Sequence, residues 1–276
     1  MSITIKKINN ETVNPVKLKQ NGKGKKAKGE NLFTLKANIL LLGKKKSGKT
    51  VTINKILDSC AGKKTQVIIF AATVFNDDTW IAIVDHLEEK GISVSPFQSL
   101  FTDDGKNILE GIVGFLKDKA KEDHLKSKQG GGFKPKLISI NSDEDENQKG
   151  EGEAKEKLES PNFIFVFDDL SDQLANDALI AFMKMQRHFN NKIILSTQYY
   201  TDVPKQARQQ LDYLLLFPQL PEMTIRQLWK DTGISIPEEM FYNIYLHATK
   251  EPFNFLYLDT KKEEVRKNFS EKYNIN

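Results

Sequence analysis

Ala37-Asn38-Ile39-Leu40-Leu41-Leu42-Gly43-Lys44-Lys45-Lys46-Ser47-Gly48-Lys49-Thr50 is the stretch of sequence that decides the fold. Its first six residues form a short apolar run, which is the pattern of a strand buried on both faces of a parallel sheet. Residues 43–50 match the pattern G-x-x-x-x-G-K-T. Helical spacing of apolar residues follows, from Thr50 to about Ser59. Because the motif sits between a strand and a helix, we predict a phosphate-binding loop and not a chance Gly/Lys-rich turn.

The predicted loop has the chemistry of an ATP–Mg²⁺ site. Glycines allow the backbone to curl so that successive N–H groups point at phosphate oxygens, and the helix N-terminus adds partial positive charge. We expect Lys49 to reach the β- and γ-phosphates and the Thr50 hydroxyl to ligate Mg²⁺. The expected nucleotide-binding residues are Gly43, Lys44, Lys45, Lys46, Ser47, Gly48, Lys49, Thr50 and Val51.

Outside this segment, apolar runs alternate with amphipathic helices. Further strands are predicted at residues 66–72, 92–94, 163–167, 192–197, 213–217 and 253–258. Further helices are predicted at residues 79–90, 107–120, 177–188, 204–210, 223–233 and 237–247. This alternation predicts an α/β fold, a doubly wound, mostly parallel sheet with right-handed crossovers.

Composition divides the chain into a P-loop domain and three polar segments. Residues 1–31 form a basic segment that we expect to be disordered, and the P-loop domain spans 32–260. Within it, residues 121–161 are rich in glycine and mixed charges, which predicts a disordered insertion, with a short edge strand at 136–140 as one exception. Residues 261–276 are predicted to be a charged C-terminal tail.

The charge of the chain is concentrated at its N-terminal end. The net charge is only +4, but the first 36 residues contain nine lysines against two glutamates. One interpretation is a solvated tail. The other is a tail that contacts a polyanion such as DNA.

Two carboxylates follow the predicted strand 163–167. Because strand ends and the phosphate loop share the carboxyl edge of a parallel sheet, Asp168 is expected to hold Mg²⁺ and Asp169 to orient the attacking water. Many P-loop ATPases have Glu at the second position, and the shorter Asp has less reach to the water. The alternative for both residues is an exposed acidic turn or a helix cap. The next strand ends in Ser196-Thr197-Gln198, where Gln198 is a candidate γ-phosphate sensor, with an ordinary polar strand end as the alternative.

Several other side chains have two readings. Arg187 and Arg208 flank the sensor strand and could stabilise phosphoryl charge across a subunit interface, or form surface salt bridges. His188 fits a helix end better than a ligand. Four aromatic residues could stack on bases but more often fill cores or interfaces. They are Phe75, Trp80, Tyr199 and Tyr200.

Taken together, these motifs resemble the genome-packaging ATPases of poxviruses, other large DNA viruses and virophages, in the FtsK–HerA superfamily. The resemblance covers residues 32–258 and rests on the P-loop, on Phe165-Val166-Phe167-Asp168-Asp169-Leu170, on Arg187-His188, on Ile193 to Gln198 and on Asp202-Val203-Pro204-Lys205-Gln206. It implies a RecA-like P-loop ATPase that forms a ring, usually a hexamer, and moves double-stranded DNA into a capsid. It also implies capsid or portal-vertex partners, and it supports Gln198 as the sensor.

Other function classes remain open at this stage. A nucleotide or nucleoside kinase would need an acceptor pocket and usually an arginine-rich lid, and an ATP-binding scaffold would show little turnover. A GTPase fits less well, because no Asn-Lys-x-Asp follows a later strand.

The cellular location is predicted from what the sequence lacks. A single cysteine, Cys60, and the absence of a secretory h-region or a run of roughly 20 apolar residues favour an intracellular chain without a membrane span. The resemblance implies the cytoplasmic virus factory of an infected cell, or the virion.

Overall fold

The computed structural model describes residues 26–129 and 158–275, which form one nine-stranded sheet with helices on both faces. The strands are β1 Ala37–Leu42, β2 Gln66–Ala71, β3 Ser93–Phe97, β4 Phe163–Asp168, β5 Asn191–Thr197, β6 Tyr213–Leu216, β7 Leu256–Asp259, β8 Glu264–Lys267 and β9 Glu271–Lys272. The helices are α1 Lys49–Cys60, α2 Asp78–Glu89, α3 Ile108–Gln129, α4 Asp177–Met185, α5 Lys205–Arg208, α6 Glu222–Thr232 and α7 Glu238–Ala248.

The strand order is β3-β2-β4-β5-β1-β6-β7-β8-β9. The first six strands in this order are parallel, and β7, β8 and β9 add an antiparallel edge. The predicted α/β fold with a doubly wound, mostly parallel sheet is therefore confirmed.

Two apolar cores lie on opposite faces of the sheet. On one face, α1 and α2 contribute Ile53 and Ile83, which pack with Ile39 and Leu41 of β1. On the other face, α3, α4, α6 and α7 pack against the alternate strand positions, such as Leu40. Because successive strand residues point to opposite faces, a strand covered by helices on both sides must be apolar throughout. This requirement explains the apolar run at residues 39–42 before the loop, and the one polar side chain of β1, Asn38, donates to the carbonyl oxygens of Met183 and Gln210.

The position of β5 determines which chain segments meet at the carboxyl edge. It lies between β1 and β4, with Thr197 in register with Leu42 and Ser196 in register with Asp168. The loop after β1, the carboxylates at the end of β4 and Gln198 after β5 are therefore side by side at this edge.

The described residues differ from the predicted segment boundaries in three places. Residues 264–267 and 271–272 form β8 and β9, in place of part of the predicted charged tail at 261–276, because β7 leaves an edge on which β8 pairs, and β9 pairs with β8. Helix α3 continues to Gln129, past the predicted start of the insertion. Ala27 forms a parallel bridge with Glu159, inside two segments predicted to be disordered.

The remaining parts of these segments, residues 1–25 and 130–157, lie outside the described residues, as does the predicted edge strand at 136–140. No helix within the two described ranges combines the length and apolar character needed to cross a bilayer.

Candidate functional site

The loop at residues 43–50 is shaped by two glycines that admit no side chain. A Cβ added at Gly43 would lie 2.5 Å from Phe217 Cβ and 2.8 Å from Ser47 Oγ. Gly48 has φ 99°, a left-handed conformation that L side chains rarely adopt, and it caps α1. The loop backbone therefore curls around a space that faces the N-terminus of α1.

Lys49 is held at the mouth of this loop. Its side chain is buried, and Nζ donates to the carbonyl oxygens of Gly43 (2.6 Å) and Lys44 (3.1 Å). Burial lowers the pKa of Lys49, while the Asp168 and Asp169 carboxylates act in the opposite direction. Both hydrogen-bond partners are neutral, so a phosphate anion in the loop would give the ammonium a counter-charge.

Asp168 ends β4 and is 8% exposed. Its Oδ2 accepts a hydrogen bond of 3.1 Å from the indole Nε1 of Trp80. Burial raises the pKa of this carboxyl group, and the Ser196 hydroxyl, the Lys49 ammonium and the Trp80 indole oppose that effect. A buried carboxylate at this edge has the right chemistry to hold a divalent cation.

Trp80 has a role that the sequence analysis missed. It was expected to stack on a base or to fill the core, and at 1% exposure it lies in the core beneath α2. A buried indole N–H needs an acceptor, and here the acceptor is Asp168. The sequence feature that could have indicated this hydrogen bond is the position of Trp80 in the first turn of α2. This helix follows β2, the strand that pairs with β4.

Asp169 and Gln198 are bonded directly to each other. Gln198 Nε2 lies 2.8 Å from Asp169 Oδ1 and 3.1 Å from Oδ2. The Asp169 backbone has φ 53° and its N–H donates to the Ser196 carbonyl at 3.0 Å. The carboxylate is exposed, so it can reach solvent water in a way that the buried Asp168 cannot. The predicted water-orienting group and the predicted sensor thus form one unit.

Two observations bear on whether this site fits a nucleotide and Mg²⁺. Ser47 Oγ is buried in the loop without a hydrogen-bond partner, as expected of a group that a phosphate oxygen would satisfy. Residues 26–129 and 158–275 contain no cluster of three or more His, Cys, Asp or Glu side chains that could hold a metal ion alone. Mg²⁺ typically takes one or two protein oxygens and completes its shell with phosphate and water. Thr50 and Asp168 match that demand.

The two predicted arginines lie in different surroundings. Arg187 is in the short 3-10 turn before β5, at the amino edge of the sheet, so it is roughly one strand length, about 20 Å, from the loop of its own chain. Arg208 is packed inside the fold: its Nε donates to the Val203 carbonyl at 2.7 Å, and Nη1 lies 3.2 Å from Asp231. Its guanidinium also covers the Tyr200 ring.

A cavity of about 750 Å³ adjoins the site on the side of β6. Lys44, Lys45, Gln198 and Arg208 line it, together with Tyr199, whose side chain is exposed. Of the other aromatic candidates, Phe75 is exposed and Tyr200 is buried.

Comparison with known proteins supports part of the resemblance. The family model described as "Poxvirus A32 protein" matches residues 135–231. The match contains Asp168, Asp169, Arg187, Gln198 and Arg208.

The DNA packaging proteins OPG160 of Variola virus and of Vaccinia virus (strain Copenhagen) are each 35% identical to the chain over 65 residues. These alignments cover 23% of this chain and 24% of each relative, so the chain aligns with about a quarter of the length of these relatives. The predicted resemblance is confirmed over that part.

Solved structures with similar folds were also found. The genome packaging NTPase B204 from Sulfolobus turreted icosahedral virus 2, in complex with AMP, is 16% identical, covers 86% of this chain and 98% of its own, and has a TM-score of 0.49. EssC (ATPases 2 and 3) from Geobacillus thermodenitrificans is 14% identical, covers 86% of this chain and 39% of its own, and also has a TM-score of 0.49. The residue roles described above rest on the geometry of this chain alone.

Proposed function

We propose that the chain binds ATP with Mg²⁺ and hydrolyses it. Lys49 would bind the β- and γ-phosphates, and Thr50 with Asp168 would hold Mg²⁺, which neutralises charge on the phosphates during transfer. Asp169 would orient the attacking water, and Gln198, which is bonded to that carboxylate, would sense the γ-phosphate. The observation that carries this proposal is the order of strands β1, β5 and β4, which brings the loop, Gln198 and both carboxylates to one edge.

In this proposal the two acidic residues would have different tasks, and the difference in their surroundings supports that division. Asp168 is buried and fixed by Trp80, which suits a metal ligand whose position must not change. Asp169 is exposed and bonded by Gln198, which suits a group that must meet a water molecule. A γ-phosphate that recruits the Gln198 amide would release Asp169 to accept a proton from that water.

We further propose that hydrolysis drives double-stranded DNA into a viral capsid. The support is the similarity of part of the chain to DNA packaging proteins and the excess of lysine in the first 36 residues, which suits contact with DNA phosphates. The partners would be DNA and capsid or portal-vertex proteins. The place of action would be the cytoplasmic virus factory or the virion.

The same proposal includes a ring, with a hexamer favoured. Of the chain's four arginines, all within the described residues, Arg208, Arg226 and Arg266 have side chains 15%, 28% and 20% exposed and are bound in ion pairs. Arg187 is 65% exposed, and its ion pair with Asp212 is long, at 3.8 Å. Arg187 is therefore the arginine best able to reach a neighbour's nucleotide.

A nucleoside kinase is not favoured by the polar groups next to the site. The cavity beside the loop could admit an acceptor, but its one arginine, Arg208, already binds Asp231 and a carbonyl group. Products distinguish the two activities, because a motor releases inorganic phosphate from ATP whether or not a nucleoside is present.

The experiment that tests this function compares Asp169→Asn and Lys49→Ala with the wild-type protein. Asp169→Asn keeps the loop and Asp168, so we expect near-normal ATP binding by calorimetry and a loss of turnover of at least about 10²-fold. Lys49→Ala should lose hydrolysis while remaining folded. Normal turnover by folded Asp169→Asn would mean that another group orients the water.

Translocation is tested separately, by ATP-dependent displacement of a third strand from linear duplex DNA. A wild-type protein that hydrolyses ATP without displacing the third strand would exclude the motor.

A further inference from the structure

A second cavity of about 600 Å³ lies on the α1 side of the phosphate loop. Its floor is the loop and the first turn of α1, and Asp77 and Thr79 at the start of α2 line one part of it. Phe253, from the segment between α7 and β7, also lines it. This cavity therefore continues from the place where phosphates would lie to an aromatic side chain far away in sequence.

Phe253 is unusual in two independent ways. Its side chain is 65% exposed, although it belongs to a chain whose large aromatic residues are mostly buried. Its backbone has φ 65°, in the left-handed region that a bulky residue rarely occupies. Burial does not account for this aromatic ring, and the backbone strain would be removed by a glycine. Strained residues of this kind cluster at active sites and ligand clamps.

Hydrogen bonds on either side hold Phe253 in this conformation. Asn254 Nδ2 donates to Glu251 Oε2 at 2.8 Å, and Asn254 Oδ1 accepts from Asn268 Nδ2 at 2.9 Å. Asn268 in turn accepts from the Phe255 backbone N–H at 3.1 Å. The segment is therefore fixed to the β7–β8 hairpin, and the ring is presented from a rigid support.

The ring of Phe253 lies directly against the phosphate loop. A Cβ added at Gly48 would be 3.3 Å from Phe253 Cδ1, which is tighter than most real contacts. On the same surface, Val51 follows Thr50 and is 66% exposed. An apolar wall thus begins where the phosphate-binding backbone ends.

We propose that Phe253 is the stacking platform for the nucleobase of the bound nucleotide, with Val51 as a second apolar contact. This inference rests on the proposed ATP site and adds the part of the site that binds the base. Stacking on an aromatic ring tolerates every base, since each base has a π-face. Phe253 would therefore strengthen binding of ATP and GTP alike, without choosing between them.

The experiment measures binding of ATP and of inorganic tripolyphosphate, both with Mg²⁺, to full-length wild-type protein, Phe253→Gly and Phe253→Tyr. We expect Phe253→Gly to bind ATP roughly 10-fold or more weakly, with unchanged affinity for tripolyphosphate, which has no base. Phe253→Tyr keeps the aromatic face and should bind ATP like the wild-type protein. Phe115→Ala removes a ring on α3 that is 64% exposed and serves as the matched control.

The melting temperature of Phe253→Gly distinguishes a ligand contact of Phe253 from a structural role. Because glycine is at ease at φ 65°, Phe253→Gly should melt at the same temperature as the nucleotide-free wild-type protein or higher. Unchanged ATP affinity in Phe253→Gly, or equal losses for ATP and tripolyphosphate, would overturn the base platform. Wild-type protein that binds neither ligand would overturn the proposed ATP site itself, and with it this inference.

Discussion

Trp80 is the residue that connects helix α2 to the proposed Mg²⁺ site. Its indole ring is buried in the core between α2 and the sheet, and its N–H donates to Asp168 Oδ2. The hydrogen bond occupies one side of the carboxylate and so limits its rotation. A metal ligand oriented in this way depends on its outer-shell donor nearly as much as on its own identity.

Replacing Trp80 with Phe tests this positioning role. The change keeps an aromatic ring in the core but removes the donor, so we expect the Mg²⁺ concentration for half-maximal ATPase to rise roughly 10-fold or more. Trp229→Phe is the matched control, because it also removes an indole hydrogen bond, to the Ile236 carbonyl at 2.6 Å, away from the site. An unchanged Mg²⁺ requirement in Trp80→Phe would show that the donor contributes only to folding.

At the scale of elements, β5 is followed by the proposed sensor Gln198 at one end and has a buried lysine near the other. Lys192 is fully buried, and its Nζ donates to the carbonyl oxygens of Thr34 and Leu35. It thereby anchors the segment before β1 to the amino edge of the sheet. Burial lowers the pKa of Lys192 to about 8, although Cys60 and Asp212 act against the shift.

This pKa gives a pH dependence of stability with a defined sign. Between pH 8 and 10, Lys192 has lost its proton in the folded chain, whereas an unfolded lysine keeps it to about pH 10.4. The unfolded state then binds more protons, so this residue makes the free energy of unfolding increase with pH. Above pH 10 the buried tyrosines reverse the trend, because burial raises the pKa of Tyr213 and Tyr245.

Lys192→Met should therefore flatten the dependence of stability on pH. We expect the variant to be less stable throughout, because two carbonyl groups lose their donor. Its stability relative to the wild-type protein should fall further by about 1–3 kcal/mol between pH 8 and 10. Urea titrations at pH 8, 9 and 10 measure this difference. A difference that is constant with pH would mean that Lys192 stays protonated in the fold.

The elements that the sequence predicted well are those whose apolar residues follow a clear local pattern. The strand 37–42 is a nearly continuous apolar run, the helix after the loop has apolar residues at helical spacing, and both lie close to their predicted bounds. The C-terminal strands β8 and β9 were missed because most of their residues are charged and none of β9 is buried. They are strands because β8 pairs with the edge of β7 and β9 pairs with β8. The roles proposed for Trp80 and Phe253 depend on contacts between segments distant in sequence, which no local pattern records.

At the scale of the whole molecule, the proposed ring requires neighbouring chains to meet in a particular orientation. Arg187 lies at the amino edge of the sheet, opposite the loop. A closed ring built from repeated head-to-tail contacts would have to bring this edge of one chain to the carboxyl edge of the next. Arg208 cannot move to a neighbour without breaking its bonds to Val203 and Asp231.

The two arginines should therefore respond differently to substitution. Arg208→Ala should lower the melting temperature, whereas Arg187→Ala should leave it almost unchanged and reduce the ATPase rate by about 10³-fold or more. Mixing Arg187→Ala with Lys49→Ala should restore activity, because some interfaces then combine an intact loop with an intact arginine. Specific activity of the wild-type protein should also rise with concentration as rings form. Flat specific activity, with no rescue on mixing, would indicate a single-chain NTPase.

The most direct test of the central claim is the steady-state ATPase rate with and without long double-stranded DNA. We predict Mg²⁺-dependent release of phosphate that increases when DNA is added and that is absent in folded Lys49→Ala under both conditions. A wild-type protein whose phosphate release is unaffected by DNA, or a Lys49→Ala variant that hydrolyses ATP at the wild-type rate, would contradict the account.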